Sequence, residues 1–288
     1  MSRIVRVELA RFFARRAVRV FGMLLLLGVL LAGTLTFVLS HRDVEAATHA
    51  ARASAAQEHA ACEQDPHNEG GCGELDLSQI TADPRFHLDG LEDVFRGASI
   101  AFVMLGLGLG ASFVGAEWHH RTMTSLLTWE PRRVRVAAAK FAAVGGAVFF
   151  SVLAFEALLG GALVPAAVFR GTTQGADAGW LVQTFGVALK GATLASMGSM
   201  LGAALGFVAR NSAVALGIAF GWLAVGENMI RNLRPGLMRW LIGDNAVSFI
   251  APSFEAPRSA VGGAAIVAVY VAIAAVLATR VFGRRDLA

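Results

Sequence analysis

Between two long apolar runs the chain carries the block Gly115 to Lys140, GAEWHHRTMTSLLTWEPRRVRVAAAK. Two carboxylates, two adjacent histidines, four arginines and a lysine are the groups that hold metals, move protons or dock partners. A metal site would need Glu117, His119 and His120 to converge. Neighbouring helix positions point about 100° apart, so His119 and His120 cannot easily ligate one ion. No HExxH spacing is present either. The block therefore reads as a docking surface, and its meaning depends on the side of a membrane it occupies.

Other residues with chemistry are scattered. Glu156 and Lys190 lie in apolar runs, where charges are costly and face a bundle interior or a water-filled path. If their helices form a hairpin turning near 169–178, the two can meet as an ion pair, serving either as a structural bridge or as a polar point on a substrate path. Glu227 and Arg231, in GENMIRN, form an i, i+4 pair that can cap a helix end. Intramembrane CAAX-type proteases use an EExxxR helix with later histidines. Here Gly226 replaces the first Glu and no His follows His120, so that constellation is missing. No GxxxxGK[ST] loop is present to cradle nucleotide phosphates.

These residues sit in a chain of 288 residues that is 56% hydrophobic and 16% charged, with a mean hydropathy of +0.59. Soluble domains carry about 25% charged residues, so a polytopic membrane protein is expected. Spanning runs fall near 20–40, 98–116, 136–168, 179–208, 211–230 and 259–281. The first lacks a clear small-residue cleavage site after it and reads as a retained anchor. Lys140 and Lys190 are the only lysines. Basic residues gather before span one, between spans two and three, at Arg210, and after span six. In a six-span topology all these segments share one side, which the positive-inside rule makes cytoplasmic.

The first long loop, 41–97, has the opposite character, with twelve acidic residues against four Arg and no Lys. It fits the outer face. Cys62 and Cys72, the only cysteines, lie in it ten positions apart, as a disulfide in an oxidising exterior or as two free thiols. Its five histidines lack the paired spacing of a helical zinc site and read as solvated.

Residues 1–19 read as a helix lying on the membrane surface, or as the basic flank of span one. Glu8, Arg11, Arg15 and Arg19 would make its polar stripe, opposite Val5, Leu9, Phe12 and Phe13. Arg16 falls near the apolar side and must snorkel towards headgroups. In the 115–140 block, Glu117 and Arg121 can support a short helix from about Gly115 to Thr128, ended by Pro131. Arg132, Arg133, Arg135 and Lys140 then form a basic collar facing headgroups. Gly198, Gly202 and Gly206, with Gly106 and Gly110, offer small-residue faces for close helix packing.

The block resembles the cytoplasmic loop of ABC-2 type transporter permeases, on Glu117, Arg121-Thr122, Leu126-Leu127, Pro131, Arg132-Arg133 and Lys140. The six spans and the N-terminal helix are similar to that family as well. The resemblance implies a coupling helix over Glu117 to Thr128, with Glu117, His119, His120, Arg121, Thr122, Leu126 and Leu127 contacting an ATP-binding subunit. It further implies two copies of that subunit, a second permease subunit as dimer partner, membrane lipid around the bundle, and no nucleic acid. ATP and Mg would bind the partner ATPase, with no cofactor in this chain, which is a transporter subunit and not itself an enzyme.

The expected fold is all-α and integral to the bacterial plasma membrane, with six transmembrane helices and both termini cytoplasmic. It comprises an amphipathic interfacial helix (1–19) and a transmembrane domain (20–288). The latter includes the acidic extracytoplasmic loop (41–97), a coupling loop (115–135) and external re-entrant-like helices (231–258). Glu156, Lys190 and Glu227 are its intramembrane polar candidates. The expected activity is ATP-driven movement, in the direction of export, of a hydrophobic or amphipathic substrate; the alternative is an intramembrane CAAX-type protease or a non-transporting membrane anchor or regulatory protein.

Overall fold

The structure is a computed structural model, and it describes residues 2–64, 85–119, 122–252 and 258–284. Its elements are helices: α1 (Ser2–Ala14), α2 (Arg16–Leu39), α3 (Val44–Glu63), α4 (Leu91–His119), α5 (Thr122–Trp129) and α6 (Arg133–Arg170), followed by α7 (Ala178–Ala209), α8 (Ser212–Gly221), α9 (Glu227–Leu233), α10 (Ile242–Ile250) and α11 (Ala260–Arg284). Among the described residues, six helical stretches are long and apolar enough to cross a membrane: α2, 88–118, α6, α7, the run 212–233 and α11. On α2, Met23, Leu24, Leu27, Leu30 and Leu31 are all exposed. A soluble surface would not tolerate such a continuous apolar face, whereas lipid solvates it. The chain is a multi-pass membrane protein.

The chain divides into two compact units. The larger comprises Met1–Leu25, Glu92–Glu156 and Gln183–Ala288; the smaller comprises Leu26–Leu91 and Ala157–Val182.

In the larger unit α4 and α7 run parallel and pack through small residues. A Cβ at Gly106 would lie 2.6 Å from the Ala195 carbonyl oxygen, and one at Gly198 would lie 3.1 Å from that of Val103. At Gly110 and Gly202 a Cβ would overlap the Ser199 and Leu107 carbonyls outright. Each glycine therefore faces the backbone of the other helix within the chain, where close approach maximises van der Waals contact. Around this seam Phe113, Val144, Phe141, Phe207 and Phe282 form a core that α1 joins through Phe12 and α5 through Met123. A second cluster holds Ile250 of α10 against Val267 and Val271 of α11 and Leu194 of α7.

The run 212–233 is not one regular helix. Between α8 and α9 the segment Trp222–Gly226 is a π turn, a one-residue insertion of the kind that re-aims the residues after it. Beyond α9, Pro235–Trp240 forms a 3-10 turn before α10. The short helices expected between spans five and six are thus present within the described part of 231–258.

In the smaller unit, Gly33 of α2 abuts Ala162 of α6. Arg170, the last residue of α6, donates to the carbonyls of Val38 (3.2 Å) and Ser40 (3.4 Å) at the end of α2 and covers Phe37. The Leu88 N–H donates to the Thr172 carbonyl and the Thr172 N–H to the Phe86 carbonyl, joining two loops by a short parallel bridge. Trp180 Nε1 donates to the Asp89 carbonyl at 3.2 Å. The helix α3, in the acidic loop, begins at Asp43, whose side chain accepts from the Glu45 N–H. Its run of alanines has high helix propensity. Cys62 lies near its end and is not a free thiol; Cys72 lies outside the described residues.

The α4–α7 seam makes a measurable demand. Gly202→Ala places its Cβ on the Leu107 carbonyl and lowers the thermal midpoint of the detergent-solubilised protein, despite the better helix propensity of alanine. Gly146→Ala, where a Cβ meets nothing within 4 Å, leaves the midpoint unchanged or raises it, by up to about 1 kcal/mol of stability. Equal midpoints for the two variants would show that the seam is loose.

Candidate functional site

The helix α4 carries Glu117 on its last turn, and its register turns that carboxylate inward. Opposite it, on the second turn of α6, stands Lys140, fully buried among Val136, Ala137 and Ala139. The third member is Glu8 of α1, also fully buried. Lys140 Nζ lies 2.7 Å from Glu8 Oε2, to which it donates, and 2.7 Å from Glu117 Oε2. The second contact is off the hydrogen-bond line, and Glu117 Oε2 has no hydrogen-bond donor among the described residues; Lys140 holds it by charge. Arg15 completes the network, with Nη2 at 3.4 Å from Glu117 Oε1 and Nη1 donating to the Ser112 carbonyl at 2.9 Å. Arg11 reaches Glu8 Oε1 at 3.3 Å from a half-exposed position.

One aromatic ring serves both cations. Phe113 lies 4.7 Å from the Arg15 guanidinium and 4.9 Å from Lys140 Nζ, and Phe12 packs edge-on against it at 5.5 Å. A cation over a ring face keeps part of its electrostatic stabilisation without water. Burial lowers the Arg15 pKa from its ordinary value, opposed by the Glu117 and Glu8 carboxylates. An arginine nonetheless stays charged. Three helices distant in sequence are thereby fastened at one end of the bundle.

This placement corrects two expectations. Glu8 belongs not to an outward polar stripe but to the interior, while Val7 and Phe13 are large apolar residues of α1 that stay exposed. Lys140 does not reach for headgroups. Once α6 starts at Arg133, position 140 falls on the face covered by α1 and α4. Arg133 is also used internally, donating to the Phe282 carbonyl at the end of α11 at 3.1 Å.

The short helix between spans two and three is α5, which covers only Thr122–Trp129. The expected start at Gly115 is wrong because α4 continues through His119, so Glu117 ends a spanning helix and does not begin the short one. His119 is the last residue of α4; His120 and Arg121 lie outside the described residues. The Glu117–Arg121 pair therefore lies partly outside them, and the described partners of Glu117 are Lys140 and Arg15. Met123 is fully buried, Leu127 nearly so, and Leu126 packs on the same core. Leu126 and Leu127 thus anchor α5 and face the protein. The outward residues are Thr122, Ser125, Thr128 and Trp129, the last 89% exposed. Nearby, Trp118 is held between the Arg210 guanidinium at 4.6 Å and Phe282 at 5.9 Å.

The intramembrane candidates are not brought together. Glu156 is fully buried, its Oε1 3.3 Å from Ser99 Oγ and its Oε2 without a hydrogen-bond partner among the described residues. The residue of α7 that faces this pair is Gly191, whose Cβ would lie 2.8 Å from Glu156 Oε1. Lys190, one position earlier, points about 100° away. It is half-buried and makes no ion pair among the described residues. Glu227 is buried too, and both its oxygens are used: the Ile242 N–H donates to Oε1 at 2.8 Å and the Gly243 N–H to Oε2 at 2.9 Å. It seats the start of α10, while Arg231 reaches Asp244 at 2.7 Å rather than Glu227. Among the described residues no three His, Cys, Asp or Glu side chains converge as a metal site requires.

The sequence carried signals for the missed residues. Glu8 is the sole acid before Asp43 in an arginine-rich segment, and Lys140 is a lone lysine in AAAKFAAVGG. Lys140 has no acid within reach on its own helix, so a distant partner is required, and Glu8 is the one acid its segment can offer.

No protein-family model matches the chain, and no curated protein matches it.

Removing one side of a buried pair strands the other. Lys140→Met leaves Glu8 and Glu117 facing each other and should cost about 3–5 kcal/mol, read as a lowered unfolding midpoint in detergent. Adding Glu8→Gln to Lys140→Met restores part of the loss. Arg11→Gln, at a 47% exposed side chain, costs under about 1 kcal/mol. A double-mutant cycle showing no coupling between Glu8 and Lys140 would overturn the network.

Proposed function

We propose that this chain is the membrane-embedded permease subunit of an ABC-2 type transporter, driven by a separate ATP-binding protein. The observation that carries the reading is α5: a two-turn helix between spans two and three, pinned by Met123 and Leu127 and presenting Thr122, Ser125, Thr128 and Trp129 outward. A rigid helix with an exposed tryptophan at its tip suits a protein contact, since aromatic anchors dominate binding energy at such surfaces. The resemblance at Glu117, Leu126-Leu127, Pro131 and Arg132-Arg133 supports the same assignment.

On this reading the chain lies in a bacterial plasma membrane with both termini cytoplasmic and pairs with a second permease subunit. Two ATPase copies bind ATP and Mg. Closure of the ATPases displaces α5, and Met123 and Leu127 pass the displacement into the core. The Glu117–Lys140–Glu8 network obliges α4, α6 and α1 to move together, so the end of the bundle responds as one body. The substrate is hydrophobic or amphipathic, and Glu156, with its free oxygen, is a polar point its path can use.

Affinity purification of the intact chain from its native membrane should recover an ATP-binding-cassette protein with ATPase activity. Trp129→Ala should weaken that association about thirtyfold or more, the loss of about 2 kcal/mol typical of an anchoring residue, while the thermal midpoint of the isolated chain stays unchanged. Recovery of no such ATPase with the intact chain sinks the assignment.

A further inference from the structure

An open cavity of ≈ 590 Å³ lies in the elbow between α1 and α2. Arg11, Arg15 and Arg16 line it from the elbow, Ser112 and Glu117 from α4, and Thr122 from α5. Three guanidinium groups thus border one hollow. The single carboxylate in the lining is already engaged, with Glu117 Oε2 at 2.7 Å from Lys140 and Oε1 at 3.4 Å from Arg15. Arg16 is exposed, and its side chain has no hydrogen bond or ion pair among the described residues.

The helix geometry adds to the positive potential. Arg16 is the first residue of α2, and no acidic residue occupies the first turn of that helix. A helix N-terminus carries the equivalent of about half a positive charge, and basic residues are favoured at the opposite end. Arg16 and Arg19 therefore stand where their charge is least compensated from within. An anion in the hollow would relieve both the guanidinium cluster and the helix end.

The apolar surroundings say which anion. Phe13 and Val20 are each about half exposed within four residues of Arg16, and Met23, Leu24 and Leu27 continue the exposed apolar surface along α2. A free phosphate has no use for such a surface. A phospholipid has an anionic head for the arginines and acyl chains for the leucines. We propose that the elbow cavity seats the phosphate-bearing headgroup of an anionic phospholipid, with its chains along α2. The site is independent of whether the chain transports anything.

Native mass spectrometry of the full chain in micelles doped with phosphatidylglycerol or phosphatidylcholine tests this. The wild type should retain phosphatidylglycerol and release phosphatidylcholine. Arg11→Gln with Arg16→Gln should weaken retention about thirtyfold, whereas Arg3→Gln with Arg6→Gln, an equal charge loss away from the cavity, should leave it near wild type. If the double variant does not purify as a monodisperse protein, Arg16→Gln alone should weaken retention about fivefold. Equal loss in the two double variants would mean diffuse surface attraction, and no preference between the lipids would mean no headgroup site. Either result overturns the proposal. Inorganic phosphate in excess should not displace the lipid; displacement at equimolar phosphate would identify a free-anion site and overturn the lipid assignment.

Discussion

A lysine ammonium cannot stand alone among alanines, valines and phenylalanines at one end of an apolar bundle, and the arrangement there follows from satisfying Lys140. Two carboxylates face it at 2.7 Å, and a phenyl ring lies beneath it. The desolvation of three charges is only recovered if all three are held in place. Hence α1, which could otherwise lie loose on a surface, is fixed by Glu8. The last turns of α4 are fixed by Glu117, and the start of α6 by the lysine itself. The short α5 lies between the last two and inherits their rigidity.

A second constraint acts through absence of side chains. The glycines of α4 and α7 let two backbones touch, and Gly191 leaves room in which Ser99 and Glu156 meet. Polar and close-packed interactions thus alternate along the same helices: charges at one end, a glycine seam through the middle, and a lone carboxylate further along. Glu227 belongs to the same logic, since its two oxygens satisfy backbone amides at the start of α10 that would otherwise face an apolar environment.

What the sequence disclosed was what depends on neighbours along the chain. Hydropathy over some twenty residues located all six spans, and the spacing of Gly198, Gly202 and Gly206 marked the face that packs. What it concealed depends on rotation and on distance. Leu126 and Leu127 look like a docking pair until the helix phase turns them inward and leaves Trp129 outside. Glu156 and Lys190 look like partners until a single position places Gly191, not Lys190, towards the acid. Glu8 and Lys140 share no local pattern at all; only the rarity of each, one acid among arginines and one lysine among alanines, hinted at a distant pairing. His120, Arg121 and Cys72 fall outside the described residues, so the readings placed on them stand where the sequence left them.

The separation of 132 residues between Glu8 and Lys140 also orders events during synthesis. The acid leaves the ribosome first, and its base follows only after two further spans and α5 have been made. At roughly 5–20 residues per second that interval is roughly 7–26 seconds. Throughout it the Glu8 carboxylate has no lysine to answer it, and α1 can rest only on the contacts that Phe12 and Arg15 make with α4. The N-terminal helix is therefore a latch that closes late, engaging once the third span begins to enter the membrane.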